Sequence, residues 1–168
     1  MKKIGIISDT HGFWDEAYKR YFSECDEIWH AGDIGHLKIT DELQKIAPLK
    51  AVFGNIDNNE IRQEFKEDEI FDYGNQKVLI THIAGKLSSY YQNCKEKIVL
   101  TKPNILVCGH SHICKVAYDK KYQLLYINPG AAGIIGFHKV RTIIRLDLKE
   151  DIVENLEVIE LKNRRKLS

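Results

Sequence analysis

Apolar and polar positions fall into short blocks that switch between strand and helix spacing over the first two thirds of the chain. Lys3–Ser8 is an apolar run closed by Asp-Thr-His-Gly, which predicts a strand and a loop. Trp14, Ala17, Tyr18, Tyr21 and Phe22 give Trp14–Glu24 the spacing of a helix with one buried face. Glu27–Trp29 starts a second strand that ends at His-Ala-Gly-Asp. Leu37, Leu43 and Ile46 predict a helix over His36–Ala47, stopped by Pro48. Leu49–Phe53 is a third strand, ending at Gly-Asn-Ile-Asp. Glu69–Tyr73 and Gln76–Thr81 read as a hairpin turned at Gly74-Asn75. Lys86–Thr101 is expected to be one long helix, and Asn104–Cys108 a strand ending in Gly-His-Ser-His.

Beyond that point the helical spacing stops. Ile113–Tyr118, Gln123–Asn128, Val140–Leu148 and Val153–Leu161 read as strands joined by turns. The pattern predicts an α/β fold, with parallel β-α-β units first and an antiparallel last third. Residues 1–161 are expected to form a single domain, and Lys162–Ser168 a basic, solvated tail.

Composition narrows the picture. The chain has 168 residues, 43% of them hydrophobic, enough for one packed domain. Lys and Arg total 25 against 24 Asp and Glu, a net charge of +1. That balance argues against a dedicated nucleic-acid binder or a membrane-surface binder. No apolar run approaches the roughly 20 residues that span a bilayer, and Ile4–Ile7 is too short for a signal peptide. The expected location is therefore cytoplasmic. Cys25, Cys94, Cys108 and Cys114 form no C-x-x-C pair and are expected to be reduced, mostly buried residues.

Five polar clusters follow five apolar strands: Asp9-Thr10-His11, Gly32-Asp33, Gly54-Asn55-Ile56-Asp57, Thr81-His82 and Gly109-His110-Ser111-His112. In open α/β sheets, ligands bind beyond the carboxyl ends of the strands, so five strand ends bring five clusters to one rim. In Asp9-x-His11 and His110-x-His112 the spacing places two side chains on one side of an extended segment. Carboxylate oxygen with imidazole nitrogen suits divalent transition metals, Mn first, with Zn, Fe, Ni or Co as alternatives. Asp9, His11, Asp33, Asn55, His82, His110 and His112 are seven donors. That is more than one ion needs, so two metals are expected, with Asp33 bridging through one oxygen to each ion. Such a pair suits in-line displacement at phosphorus.

The order D-x-H, G-D, G-N-x-D, lone H, G-H-x-H resembles the calcineurin-like metallophosphoesterases, in their small single-domain cytosolic phosphodiesterase branch. Asn128-Pro129-Gly130 extends the likeness, which spans about residues 4–148. The resemblance implies a four-layer sandwich of two mixed β-sheets flanked by helices. It assigns one metal to Asp9, His11, Asp33 and His112, and the second to Asp33, Asn55, His82 and His110. Asp33, Asn55 and His82 are the expected catalytic residues. The implied chemistry is attack of a metal-bridging hydroxide on small phosphodiesters, cyclic nucleotides among them, or on activated phosphomonoesters. A homo-oligomer is implied too, although no sequence feature marks one. Two other readings are a protein-binding scaffold on the same fold, as in a retromer subunit resembling the family, and a metal-dependent nuclease.

Two departures from the pattern matter. The superfamily often reads G-N-H-[DE], whereas this chain has Ile56, which cannot act as an acid. Asp57 is then a turn or cap residue. After His82 the run Ile-Ala-Gly-Lys also differs from the His-Gly or His-x-His often seen there. Around the site, His30 is expected to play a supporting role, Phe13 and Trp14 to pack the helix, and His138, Lys139 and Arg141 are offered as phosphate contacts.

Overall fold

A computed structural model describes residues 1–162; apart from Lys162, the basic tail read at 162–168 lies outside the described residues. The strands are β1 (Lys2–Ile7), β2 (Glu27–His30), β3 (Leu49–Ala51), β4 (Asp68–Tyr73), β5 (Gln76–Thr81), β6 (Gly85–Lys86), β7 (Ser89–Tyr90), β8 (Ile105–Val107), β9 (Lys115–Asp119), β10 (Leu124–Asn128), β11 (Thr142–Leu148) and β12 (Val153–Glu160). The helices are α1 (Glu16–Phe22), α2 (Leu37–Gln44), α3 (Asn59–Glu64) and α4 (Gln92–Thr101). Among the described residues, no helix is long and apolar enough to cross a membrane.

Two five-stranded mixed sheets carry the fold, in the orders β12-β11-β1-β2-β3 and β4-β5-β8-β10-β9. Three apolar clusters fix the layers. Ile4, Ile6, Trp29 and Leu146 of the first sheet meet Val78, Ile80, Val107 and Ile127 of the second. Tyr18, Phe22, Ile39, Leu43 and Ile61 cover the outer face of the first sheet at Ile7, Ile28 and Ile143. Cys94 and Ile98 of α4 cover the second sheet at Leu79, Leu106 and Leu124. The result is the expected α/β sandwich, helices outside and two sheets within.

β11 shows why both of its faces looked apolar. Ile144, Leu146 and Leu148 enter the inter-sheet core, while Ile143 joins the helix-side cluster. Arg145 shares the helix side, where Nη1 donates to the Tyr21 carbonyl at 3.0 Å and Nε to Glu157.

Two expectations need correction, and one element escaped the pattern. Lys86–Thr101 is not one helix: Gly85 (φ +97°) and Ser88 (φ +63°) turn a small hairpin. Helix α4 starts only after Tyr91. The Ser-Ser-Tyr-Tyr run favours helix weakly, and the hairpin carries Tyr90 into the core. The last third is not wholly antiparallel. β9 and β10 complete one sheet, with β10 parallel to β8, while β11 and β12 complete the other. Helix α3, capped by the Asn58 side chain on the Ile61 amide at 3.1 Å, buries only Ile61 and gave no periodic signal.

The parallel strands position the chemistry. β1, β2 and β3 run parallel in one sheet, and β5, β8 and β10 in the other. Their carboxyl ends open at one rim, shared between two sheets rather than lying along one.

Candidate metal centre

The rim collects the polar clusters on backbone that L-residues seldom adopt. φ is +54° at Asp9, +44° at His11, +54° at Asp33, +71° at His110 and +61° at His112. Each such left-handed residue costs about 1–2 kcal/mol, and Asp and His tolerate it better than most residues. The two x-H pairs therefore do not lie on extended backbone, as their spacing implied. The loops are held by a ladder of main-chain bonds: Asp9 N to Gly32 O at 3.0 Å, His11 N to Asp33 O at 3.0 Å, and Gly109 N to His82 O at 3.0 Å. Strain of this kind persists only where neighbours over-determine the backbone, and it clusters at functional sites.

Both central carboxylates are divided in the same way. Asp9 is fully buried, and its Oδ2 accepts from the Ser8 hydroxyl at 2.7 Å and the His110 amide at 3.1 Å. Its Oδ1 makes no hydrogen bond, although His112 Nε2 stands 3.1 Å away and His11 Nε2 3.9 Å. Asp33 spends Oδ1 on the Ile56 amide at 3.0 Å, while Oδ2 lies 3.2 Å from His82 Nε2 and 3.5 Å from His11 Nε2. A single Asp33 oxygen thus stands between the two groups of imidazoles. The expectation from sequence is one oxygen to each ion; here Oδ1 faces the Ile56 amide while Oδ2 faces both groups. Gly109 permits this crowding, since a Cβ there would lie 2.1 Å from Ser8 Oγ and 2.7 Å from Asp9 Oδ2.

The imidazoles are aimed as ligands are. His82 Nδ1 lies 2.7 Å from the Ala31 carbonyl, which can only accept, so this nitrogen carries the proton. That fixes Nε2 toward the site, where Asn55 Oδ1 lies 3.0 Å away. The same Asn55 oxygen is 3.0 Å from His110 Nδ1. His11 Nε2 is buried without a hydrogen-bond partner. Burial alone would raise the Asp33 carboxyl, but the bond to His82 and the nearby imidazole charge hold it below the usual carboxylate range. Burial disfavours charge on His82, yet Asp33 and Asp9 outweigh it and lift the ring's pKa. His110 is pushed down by burial and by His82.

Two compact donor groups result, Asp9-His11-His112 and Asp33-His82-His110, each with its ligand atoms within 4.8 Å of one another. Asn55 joins the second through its amide oxygen. Asp9 Oδ1 and His11 Nε2 are buried without hydrogen-bond partners, which is costly unless a cation sits among them. The donor set fits divalent transition metals.

A supporting layer holds these loops and was only partly visible in the sequence. The buried Asp57 carboxylate accepts from the Ile34, Gly35 and Gly54 amides at 3.1, 2.8 and 2.8 Å, clasping two loops together. It acts at a turn, while Asn58 caps α3. His30 Nδ1 accepts from the Gly32 amide at 3.1 Å, and its Nε2 donates to Thr10 Oγ1 at 2.9 Å. The Thr10 hydroxyl passes the chain on to the Ile34 carbonyl at 3.0 Å. Burial holds His30 down to about 4, against the pull of Asp57 and Asp9.

The offered phosphate contacts divide. Arg141 is fully buried, donating to the Ala132 carbonyl at 2.6 Å, to Asp15 at 2.9 Å and to the Tyr18 hydroxyl at 3.3 Å. It staples the loop after β10 to α1 and is not available to a substrate. His138 packs edge-on against His112 at 5.2 Å and donates to the Gly133 carbonyl at 2.8 Å. Lys139 is exposed, and Trp14 packs with the helix-side core.

Comparison with known proteins gives a consistent result. A family model described as the calcineurin-like phosphoesterase superfamily domain matches residues 1–151. The Methanocaldococcus jannaschii protein named "Probable metallophosphoesterase" is 28% identical over 167 residues, covering 94% of this chain and 81% of that protein. Vps29 of Entamoeba histolytica in complex with zinc superposes with a TM-score of 0.73 at 15% identity, over 96% of this chain and 99% of that one. A protein described as a novel archaeal phosphodiesterase gives 0.70 at 23% identity, over 95% and 99% of the two chains. At these identities the solved structures speak for the fold.

Two outcomes follow from the supporting layer. Arg141→Met breaks the ion pair to Asp15 and the bonds to the Ala132 carbonyl and the Tyr18 hydroxyl, which keep their bond to each other at 2.8 Å, so urea unfolding should show a loss of about 3 kcal/mol. Mn²⁺ affinity, measured on the folded variant, should be unchanged. His30 has a folded pKa near 4 against an ordinary value of 6.5. Its neutral burial therefore carries no penalty above about pH 6.5 and becomes destabilising as pH falls toward 4. Between pH 7 and pH 5 the urea midpoint of the wild type should fall further than that of His30→Gln; equal falls would contradict the assignment.

Proposed function

This chain belongs to the calcineurin-like phosphoesterase superfamily, and we propose that it hydrolyses small phosphodiesters, with activated phosphomonoesters as secondary substrates, using two divalent transition metals. The observation that carries this is the pair of carboxylate oxygens, Asp9 Oδ1 and Asp33 Oδ2, facing imidazole nitrogens 3.1–3.5 Å away. Asp9, His11, Asp33 and His112 would hold one ion. Asp33, Asn55, His82 and His110 would hold the other. When bound, the ions supply Lewis-acid charge that neutralises phosphoryl oxygens and makes water nucleophilic near neutral pH.

The chain's own groups set the rest. Asn55 presents its amide oxygen to His82 and His110, leaving the NH₂ to donate to a phosphate oxygen. Ala31 holds the His82 ring in one orientation. Ile56 is 46% exposed at the position where other members carry an imidazole, so its side chain gives no proton to a departing oxygen. Its backbone amide instead fixes Asp33. An enzyme built this way favours esters whose alcohol leaves readily, because positioned acid catalysis is worth roughly 10²–10⁴ in rate.

A protein-binding scaffold is the second reading. The likeness to Vps29 and the exposed Ile56 beside the site favour it. Seven donors kept in two compact groups favour catalysis.

An activity panel with Mn²⁺ tests both. The expected outcome is kcat/KM at least about 10²-fold higher on aryl phosphodiesters than on simple alkyl monoesters. Equal rates on alkyl monoesters would contradict the role given to Ile56. Inactivity on every ester, with metal bound, would favour the scaffold.

A further inference from the structure

Beside the second donor group lies a cavity of about 340 Å³, at the small end of the range for small-molecule sites. Asn55 and His82 form its metal-side wall, and Phe53, Arg62, Ile83 and Tyr91 line it further out. None of these outer residues carries a role in the metal centre.

Arg62 is fixed rather than free to roam. Its Nε donates to the Asp57 carbonyl at 2.7 Å, and Nη2 to the Asn55 and Gly54 carbonyls at 3.3 and 3.4 Å. Its guanidinium carbon stands 4.6 Å from the centre of the Phe53 ring. The main chain that carries the metal-side Asn55 therefore also anchors a flat cation on an aromatic base. Tyr91 is held by its own amide on the Ala84 carbonyl at 3.0 Å, while the residue is 62% exposed. Ile83 is 37% exposed. Large apolar groups left in contact with water around a polar centre mark a surface that receives something apolar.

The charges indicate what kind of group. Glu67 lines the same cavity as Arg62, so the space is not a uniformly positive receptor for a second phosphate. A guanidinium plane and a phenol ring have in common an affinity for flat π systems. Asn93 adds an amide able to meet ring heteroatoms.

We infer that this cavity receives the aromatic arm of the phosphoester, with Arg62 and Tyr91 as specificity-determining residues. The substrate class is then a phosphodiester bearing a planar ring, either a nucleobase or a simple aryl group. The inference rests on the phosphoesterase reading for the phosphate end and adds the identity of the other end. It also connects the exposed Tyr91 with the missing imidazole at Ile56: binding of the arm, rather than proton donation, selects the ester.

Binding of product-like probes to the Mn²⁺-loaded full chain tests it without depending on turnover. Isothermal titration would compare AMP, phenyl phosphate, ribose 5-phosphate and inorganic phosphate. The ring-bearing probes are expected to bind about 10-fold more tightly than ribose 5-phosphate, in line with the strength of single stacking contacts. Tyr91→Ala should remove that advantage and leave the affinity for inorganic phosphate unchanged, and Arg62→Lys should reduce it. An advantage confined to AMP identifies the ring as a nucleobase; one common to AMP and phenyl phosphate identifies a general aryl site. Equal affinity for AMP, phenyl phosphate and ribose 5-phosphate, or a ring preference that survives Tyr91→Ala, overturns the inference while the phosphoesterase reading stands. Failure of the loaded protein to bind inorganic phosphate and every probe overturns both.

Discussion

Two buried carboxylates, each with one oxygen bound to the protein and one turned into a common space, are the constraint around which this fold is arranged. Asp9 gives Oδ2 to Ser8 and to the His110 amide, and Asp33 gives Oδ1 to the Ile56 amide. Those bonds dictate which oxygens remain, and the remaining ones face His11, His82 and His112. Negative oxygens and imidazole lone pairs brought this close repel unless positive charge lies between them. The left-handed backbone at five of these loop positions is the conformational cost of making them converge.

The sandwich can bear that cost because its rigid parts end where the loops begin. Three parallel strands from each sheet deliver their carboxyl ends to one rim, so each loop starts from a fixed strand end. Asp57 ties the loop after β2 to the loop after β3 through three amides. The His30–Thr10 chain ties the loop after β1 to the loop after β2. Arg141 fixes the small-residue segment after β10 against α1. Position 56 illustrates the division of labour: its side chain is solvent-facing and chemically idle, while its amide holds a central carboxylate.

Much of this was legible in the sequence, for physical reasons. Strands closed by Asp-x-His, Gly-Asp, Gly-Asn and Gly-His-x-His announce themselves, because polar residues directly after a buried strand need a use. The hairpin at Gly74-Asn75 was readable because its turn chemistry is local. What stayed hidden was non-local. Nothing near Asp57 says that it will meet the amides of Ile34 and Gly35. Nothing near Arg141 distinguishes an arginine bound for the core from one bound for a phosphate; only its packing against Tyr18 and Asp15 decides that. The hairpin at 85–90 was lost to helix because its positive-φ residues include Ser88, which carries no turn signature of its own. The splitting of the last four strands between two sheets depends on long-range pairing that local alternation does not encode.

The number of cations the chain holds tests this account most directly. Metal-stripped protein titrated with Mn²⁺ by calorimetry should take up two equivalents per chain. At about 100-fold above Kd each site adds roughly 2.7 kcal/mol to stability. Asp33→Asn, which alters the oxygen between the two donor groups, should bind fewer than two ions and lose most of that stabilisation. A wild type that binds no Mn²⁺, Zn²⁺, Fe²⁺, Co²⁺ or Ni²⁺, or an Asp33→Asn variant that binds two ions as tightly as the wild type, would contradict it.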